Sequence, residues 1–309
     1  MKGILLAGGF GTRLYPLTSY ISKQLLPVYD KPAIYYPLSA LMLAGIKEIM
    51  IISTKEDIPC IKKLLKDGSQ LGMQITYCIQ EKPEGIAQAF LLGADFIGNS
   101  SVCLILGDNL FYAQDLHINL EKFLTLKEGA GIFAYHVGNP SAYGIVEFDK
   151  NMKAISLEEK PINPKTSWAV PGLYFYDNQV VSIAKSIKPS LRNELEITDV
   201  NKVYLKKQQL TVKVMGRGVT WLDLGTPDAL LSASSFVQTI EKRQNLQIGC
   251  VEEIAFRMGF IDIMQLNNLA QSYPNGSYKN YLIQTIEDCD YLSTTSSFIG
   301  DNIYEKIII

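Results

Sequence analysis

The sequence predicts an α/β fold in which helices flank a mixed, mostly parallel sheet. Short apolar runs such as "GILLAG" and "EIMIIST" alternate with helical patterns such as "IPCIKKLLKDG" and "GIAQAFLLGADF". This alternation is typical of βαβ units, whose parallel strands are covered by helices. Three later runs continue the pattern: "MQITYCIQ", "SVCLILGDN" and "AGIFAYHV". With 309 residues, 47% of them hydrophobic, the chain can bury a large core.

From about residue 143 the extended pieces become shorter, as in "YGIVEFD", "AISLEEKP", "WAVPGLYFYD" and "LTVKVMG". We interpret them as a continuation of the same sheet with a lid, interrupted by the helical pattern "EITDVNKVYLKKQ". Strand alternation predicts that Tyr174, Phe175 and Tyr176 point by turns to the core and to the surface. The region is therefore not expected to be a separate domain.

The C-terminal part is predicted to be helical. A long helix is expected after "WLDLGT", capped near Thr226 with Pro227 in its first turn. The last sixty residues have the pattern of short helices. We therefore divide the chain into a catalytic domain, 1–245, and a helical extension of the same domain, 246–309, that supplies assembly contacts. The segment "CDYLSTTSSFIGDNIYEKIII" suggests no role.

Composition excludes several classes of protein. A net charge of -2 argues against a broad nucleic-acid-binding surface, so any phosphate must be held by a few placed cations. The five cysteines are scattered without a CxxC pair, which favours neither a zinc site nor a disulfide framework. No signal-like segment or membrane-length apolar run is present. The expectation is a cytoplasmic protein that does not enter a membrane.

A glycine-rich turn follows the first predicted strand. Glycines at positions 8, 9 and 11 allow the backbone to approach a ligand and to donate N–H groups to phosphate oxygens. The turn lacks the Gly-Lys-Ser/Thr of a Walker loop, and Leu14 occupies the place of the third glycine of a dinucleotide fingerprint. An ordinary tight turn remains an alternative. Gln80 and Asp108 close two other strands, and such ends meet at the ligand-binding edge of a parallel sheet.

The continuation "GTRLYPLTSYISKQLLPVYDKPAIYYPLSALMLAG" resembles the signature of the sugar nucleotidyltransferase family, and in particular its short bacterial members that join dTTP to glucose-1-phosphate. Later blocks of that family occur in order over residues 1–285, among them "LILGDNLFY", "LEEKP", "RNELEITDVN" and "WLDLGTPDALL". The resemblance implies a Rossmann-like nucleotidyltransferase fold and a homotetramer. It also implies Mg²⁺-dependent transfer of a thymidylyl group, which yields dTDP-glucose and pyrophosphate for deoxysugar (dTDP-rhamnose type) and polysaccharide biosynthesis.

The resemblance also implies roles for individual residues. Arg13 would meet the leaving phosphates, Lys23 the α-phosphate and Lys160 the phosphate of the incoming sugar, while Asp108 and Asp223 would hold Mg²⁺. The implied nucleotide-binding positions are Leu6, Gly8, Gly9, Gly11, Thr12, Gln24, Gln80 and Gly85. The implied sugar-binding positions are Tyr143, Gly144, Glu159 and Val170.

Other functions remain open at this point. UTP or another hexose-1-phosphate could replace the expected substrates, because uracil differs from thymine by one methyl group. A non-catalytic sensor of nucleotide sugars could share the fold, although the retained cations and carboxylates speak against it. A nicotinamide dehydrogenase is a third candidate, but the chain lacks its fingerprint.

The chain departs from the family pattern at three positions near the expected site. Leu224 stands where threonine is common, Pro227 where histidine is frequent, and Phe10 where serine is frequent. Asp223 is retained, so we expect activity to persist with altered hydrogen bonding near the metal. His117 and His136, the only histidines, lie in no matched block.

Overall fold

The predicted apolar runs form the strands of one large sheet in the computed structural model, which describes residues 1–9, 11–114 and 116–295. Phe10, Asp115 and residues 296–309 lie outside the described residues. The prediction about Phe10 and the interpretation of most of the C-terminal segment therefore fall outside what the structure describes. The strands are β1 (Lys2–Leu6), β2 (Pro27–Val28), β3 (Lys31–Pro32), β4 (Glu48–Ser53), β5 (Gln74–Ile79), β6 (Val102–Leu106), β7 (Asn109–Tyr112), β8 (Ala130–His136), β9 (Gly144–Phe148), β10 (Ala154–Glu159), β11 (Trp168–Ala169), β12 (Leu173–Tyr176), β13 (Leu210–Val214) and β14 (Thr220–Asp223).

Helices connect the strands and cover both faces of the sheet. They are α1 (Tyr35–Leu43), α2 (Ile58–Leu65), α3 (Gln88–Leu92), α4 (Ala94–Ile97), α5 (Leu116–Leu124), α6 (Val180–Ser186), α7 (Ile197–Lys206), α8 (Pro227–Gln244), α9 (Val251–Arg257), α10 (Ile263–Ser272) and α11 (Ser277–Thr295).

Within the described residues the main sheet has 10 strands in the order β10-β9-β11-β8-β12-β6-β1-β4-β5, with β13 beside β8. Strands β5, β4, β1 and β6 are parallel, and β13 is parallel to β8. Strand β12 runs antiparallel between β6 and β8, and β9, β10 and β11 extend the sheet through antiparallel pairs. The predicted fold class and the continuation of the sheet beyond residue 143 are confirmed.

The sheet is buried on both faces. Successive residues of β1, Ile4 and Leu5, are fully buried in two different apolar clusters, one on each face. The same holds for β12, where Phe175 belongs to one cluster and Tyr174 and Tyr176 to the other. The prediction that these three side chains alternate between core and surface is therefore wrong. They do alternate, but helices cover both sides of the strand.

The order of the strands creates a crevice at the carboxyl end of β1. The chain runs from β1 to β4 and β5 on one side and then returns to β6 on the other side of β1. Ligands of open α/β sheets bind at such a switch point. The N–H of Gly107, just after β6, donates to the carbonyl of Leu6 at the end of β1, 2.8 Å away. The segments that follow the two strands, the glycine turn and Asp108, consequently start side by side.

The C-terminal helices pack against the body of the sheet. Helix α8 begins as predicted, with Pro227 in its first turn and the Oγ1 of Thr226 accepting from the N–H of Ala229 at 3.2 Å. Helices α9 and α10 are short, but α11 has 19 residues, so the prediction of short helices alone was wrong. Tyrosines of the C-terminal region donate to two buried glutamates of α9, Glu252 and Glu253, which keeps α11 against the body. The division of the chain at residue 245 stays a prediction.

One buried cation joins the N-terminal and C-terminal parts. The side chain of Lys31 is 2% exposed, and its Nζ lies 2.7 Å from an Asp30 oxygen and 3.0 Å from Oε1 of Glu241 in α8. Burial raises the pKa of Glu241, and the charge of Lys31 opposes that rise. Removing one partner of such a group leaves an unpaired charge in the protein interior.

We predict that Lys31→Met lowers the free energy of unfolding by about 3 kcal/mol, because it leaves Glu241 buried without its cation. Urea denaturation followed by circular dichroism measures the change. Lys242→Met, an exposed neighbour of Glu241 on the same helix, is the matched control and should unfold like the parent. Equal midpoints for the two variants would contradict the prediction.

Candidate active site

A short ion pair lies at the mouth of the crevice. The Nζ of Lys23 is 2.5 Å from Oδ2 of Asp108, and both side chains are largely buried, with 17% and 14% of their surface exposed. Lys23 begins a short helical turn, whose preceding residue Ser22 accepts from the N–H of Gln24. Asp108 follows β6. The sheet topology therefore brings together two residues separated by 85 positions.

Asp223 reaches the same place through a separate ladder. Strand β14 pairs antiparallel with β7, and Asp223 lies opposite Asn109 in that register. Gly225 lies close to the carboxylate of Asp223 and to Arg13. A Cβ on this glycine would lie 2.5 Å from Nη2 of Arg13 and 2.8 Å from Oδ1 of Asp223. The guanidinium of Arg13 and this oxygen thus share the space over Gly225, and a side chain at that position would displace one of them.

The two carboxylates have opposite pKa shifts. Burial disfavours ionisation of Asp108, but the charge and hydrogen bond of Lys23 outweigh it, so the pKa of Asp108 is lowered. Burial and the negative charge of Asp108 raise the pKa of Asp223 above its ordinary value, against the attraction of Arg13 and Lys23. The positive charges of Arg13 and Lys23 therefore do not fully compensate Asp223 for its burial and for the neighbouring carboxylate.

This donor set fits a small hard cation. Oδ1 of Asp223 is buried and has no hydrogen-bond partner among the described residues. Mg²⁺ is usually held by one or two carboxylates, with water and substrate phosphates completing its coordination. Asp108 and Asp223 would hold it, and an added positive charge there would lower the energetic cost of ionising Asp223.

Asn109 orients Asp108, and sequence reasoning missed it. Its Oδ1 accepts from Nε1 of Trp221 at 2.6 Å and from the N–H of Gly172 at 3.1 Å. Both donors are unambiguous, so the amide can only turn its Nδ2 towards Asp108, whose Oδ1 it reaches at 2.9 Å. Asn109 was part of the quoted block "LILGDNLFY", but nothing in one sequence indicates which of its residues contacts the indole.

The glycine turn lies against the two glutamines expected to read the base. A Cβ on Gly8 would be 2.0 Å from Oε1 of Gln80, so any side chain there would displace this amide. Nε2 of Gln24 is 3.5 Å from the carbonyl of Gly8, and its Oε1 accepts from the hydroxyl of Ser22. Gln24 and Gln80 are both buried. Because the turn follows β1 and Gln80 follows β5, strand ends account for this cluster.

The other predicted nucleotide-binding positions surround this turn. Gly9 and Gly11 have positive φ angles of 102° and 58°, which favour glycine. Thr12 begins the short helical turn that carries Arg13. A Cβ on Gly85 would lie 2.4 Å from the backbone of Leu195, so that position also needs glycine. Leu6 is the last residue of β1.

The predicted sugar-binding residues gather on the antiparallel part of the sheet. The carbonyl of Tyr143 accepts from the N–H of Lys160 at 3.1 Å, and the carbonyl of Gly144 accepts from the N–H of Val170 at 2.8 Å. The ring of Tyr143 lies 5.0 Å from that of Trp221. Burial, and then the charge of Asp223, raise the pKa of Tyr143. The hydroxyl of Tyr143 therefore lies in the electrostatic field of the carboxylate pair.

Glu159 is held by two residues that sequence reasoning did not single out. Its Oε2 accepts from the hydroxyl of Thr198, and its Oε1 lies 3.4 Å from Nη2 of Arg192. Burial raises the pKa of Glu159. Lys160, the next residue, is exposed and has a φ of 41°, an uncommon conformation for a lysine. Thr198 and Arg192 belong to the family block "RNELEITDVN", but a single sequence does not indicate which of its residues contact Glu159.

Leu224, one of the departures from the family pattern, is buried. Its side chain packs in an apolar cluster with Val28, Tyr36 and Leu110, and its N–H donates to the carbonyl of Asp108 at 2.9 Å. The link between this segment and Asp108 is therefore made by the backbone, and it does not depend on a side-chain hydroxyl.

Paired carboxylates, nearby cations and a glycine turn at a switch point are typical of enzymes that transfer nucleotidyl or phosphoryl groups. A family model described as nucleotidyl transferase matches residues 2–240. The chain belongs to this family, and the predicted resemblance is confirmed. No helix in the described part of the chain is long and apolar enough to cross a membrane.

Individual relatives cover nearly the whole chain. A glucose-1-phosphate thymidylyltransferase of Mycolicibacterium smegmatis is 58% identical over 93% of this chain and 99% of its own length. The enzyme of the same name from Neisseria meningitidis is 54% identical over 93% of this chain and 100% of its own. A solved structure assigned as a glucose-1-phosphate thymidylyltransferase from Bacillus anthracis is 38% identical with a TM-score of 0.72, covering 91% and 99% of the two chains.

We predict that Gly8→Ala lowers kcat/KM for the nucleotide about 100-fold, because the new methyl group displaces the amide of Gln80 and narrows the turn. Steady-state kinetics with varied nucleotide measures the effect. Gly138→Ala is the matched control, because a Cβ there meets no atom within 4 Å. Wild-type kinetics for Gly8→Ala would show that the turn does not approach the ligand.

Proposed function

We propose that the protein is a Mg²⁺-dependent glucose-1-phosphate thymidylyltransferase that converts dTTP and glucose-1-phosphate into dTDP-glucose and pyrophosphate. The observation that carries the proposal is the position of the Lys23, Asp108 and Asp223 cluster. It lies between the glycine turn with its two buried glutamines and strand β10, which ends at Glu159 next to Lys160. The high identity to two enzymes of that name supports the choice of substrates.

The nucleotide side of the crevice binds and orients the triphosphate. Backbone N–H groups of the glycine turn face its oxygens, and the guanidinium of Arg13 binds the leaving β and γ phosphates with two donors at once. When the triphosphate binds, the ammonium group of Lys23 contacts both Asp108 and the α-phosphate. Gln24 and Gln80 present amide groups to the edge of the base.

The sugar side positions the nucleophile. Lys160 binds the phosphate of glucose-1-phosphate, and Glu159 accepts hydrogen bonds from sugar hydroxyls beside Tyr143, Gly144 and Val170. A phosphate oxygen of the sugar then attacks the α-phosphorus from the side opposite the leaving pyrophosphate. The attacking group is already an anion at neutral pH, so the site needs no general base. Its cations stabilise charge that spreads over the phosphoryl oxygens.

Mg²⁺ held by Asp108 and Asp223 would supply positive charge to the phosphoryl oxygens and would orient the triphosphate. Asn109 keeps Asp108 in one orientation, so that this carboxylate does not have to be ordered again in each cycle.

The setting of the reaction is also part of the proposal. We propose a cytoplasmic homotetramer that uses α8 and α10 in subunit contacts, supported by the exposed side chains of Leu231 and Met264 on those helices. The product would serve deoxysugar synthesis of the dTDP-rhamnose type.

The decisive experiment measures pyrophosphate release from glucose-1-phosphate and Mg²⁺ with dTTP, UTP, ATP, CTP and GTP in parallel. We expect the highest kcat/KM with dTTP. Activity with UTP alone would make the protein a uridylyltransferase. A folded protein that releases no pyrophosphate with any nucleotide would overturn the enzymatic proposal and favour a nucleotide-sugar sensor.

We predict that Asp108→Asn and Asp223→Asn each lower kcat about 100-fold, because both remove charge that holds the metal beside the phosphates. Sugar-phosphate binding, measured by calorimetry, should change much less. Asp228→Asn, in the exposed first turn of α8, is the matched control and should retain the parent rate. A parent-like kcat in either active-site variant would refute its metal-binding role.

A further inference from the structure

A chain of three side chains fixes one of the base-reading amides. Nε2 of Gln80 donates to Oε1 of Gln88 at 2.6 Å. The same Oε1 accepts from the backbone N–H of Glu84 at 3.1 Å, and Nε2 of Gln88 donates to Oε2 of Glu84 at 2.8 Å. Gln88 is the first residue of α3, immediately beyond the loop that links β5 to this helix.

The direction of these hydrogen bonds follows from chemistry alone. A backbone N–H can only donate and an ionised carboxylate can only accept, so Glu84 gives the amide of Gln88 one possible orientation. The oxygen of that amide therefore faces Gln80, and only the NH₂ group of Gln80 can donate a hydrogen bond to it. Reversing the amide of Gln80 would set two oxygens 2.6 Å apart.

The outcome is a defined acceptor in the nucleotide site. With its NH₂ group held by Gln88, Gln80 turns Oε1 towards the glycine turn, at the place where a Cβ of Gly8 would lie. Thymine and uracil offer a ring N–H donor on their pairing edge, whereas cytosine offers an acceptor at the same ring position.

We propose that Gln88, anchored by Glu84, is a specificity-determining positioning residue that holds Gln80 as an acceptor and thereby excludes cytosine nucleotides. The proposal rests on the proposed function, because it takes the ligand of the glycine turn to be a pyrimidine nucleoside triphosphate read by Gln80. Gln88 acts only through Gln80. The relay does not sense the methyl group that distinguishes thymine from uracil.

The test compares kcat/KM for dTTP and dCTP with glucose-1-phosphate in wild type and Gln88→Met. Methionine has a similar length and a good helix propensity, but it cannot orient Gln80. We expect the dTTP-to-dCTP ratio to fall about tenfold, because a freed amide can turn its NH₂ group to cytosine. An unchanged ratio would overturn the proposal.

Further variants separate this action from a structural one. In a Gln80→Met background, adding Gln88→Met should leave the ratio unchanged, whereas an equal further fall would contradict the relay. The exchange Glu84→Gln with Gln88→Glu keeps an acceptor facing Gln80 and a donor–acceptor pair between residues 84 and 88, so the ratio should stay near that of wild type. A ratio as low as that of Gln88→Met would count against it.

Gln284→Met is the matched control, because Gln284 donates to a carboxylate in the same way, to Asp288 at 2.7 Å in α11. It should not alter the ratio. Pyrophosphate release by the wild type tests the proposed reaction separately. If the wild type is inactive, calorimetric binding of dTTP and dCTP replaces turnover, and an unchanged preference in Gln88→Met again overturns the relay.

Discussion

The approach of two buried carboxylates at the carboxyl edge of the sheet is the constraint on which the site depends. Burial, and then the negative charge of Asp108, raise the energetic cost of ionising Asp223. Lys23 is therefore drawn into a short ion pair with Asp108, and Arg13 remains beside Asp223. Under the proposed function, a chain with a net charge of -2 would bind a polyphosphate without a basic surface, because its own carboxylates already hold cations at the site.

The sequence predicted this arrangement where its local rules are strong. Apolar runs located the strands of the parallel part, and Thr226 with Pro227 located the start of α8. Strand ends placed Gln80 and Asp108 at one edge, since parallel strands finish together. Asp223 was different. Its pairing with Asp108 came from resemblance alone, because the β7–β14 ladder that joins them spans more than a hundred positions and has no local signal.

The failures have a common physical origin in long-range packing. Alternation in "LYFYD" was correct, but a period of two does not tell whether the second face meets water or helices. Tyrosines of α11 donate hydrogen bonds to buried glutamates of α9, and no local pattern indicates these contacts. Asn109, Thr198, Arg192 and Gln88 contact the expected site residues through side-chain hydrogen bonds, and only the folded chain shows these bonds.

The two ends of the proposed nucleotide site use different kinds of interaction. At the proposed reacting end, full charges oppose one another, and phosphates and a metal that bind there would change their balance. At the base end, neutral amides are locked by a carboxylate and a backbone N–H, so their orientation is set before the ligand arrives. Gly8 belongs to both ends, since it starts the turn proposed to face the phosphates and its missing side chain leaves room for Gln80. Under the proposed function, a nucleotide whose base displaces that amide would also disturb the turn that holds its phosphates, which would couple base recognition to placement of the α-phosphorus.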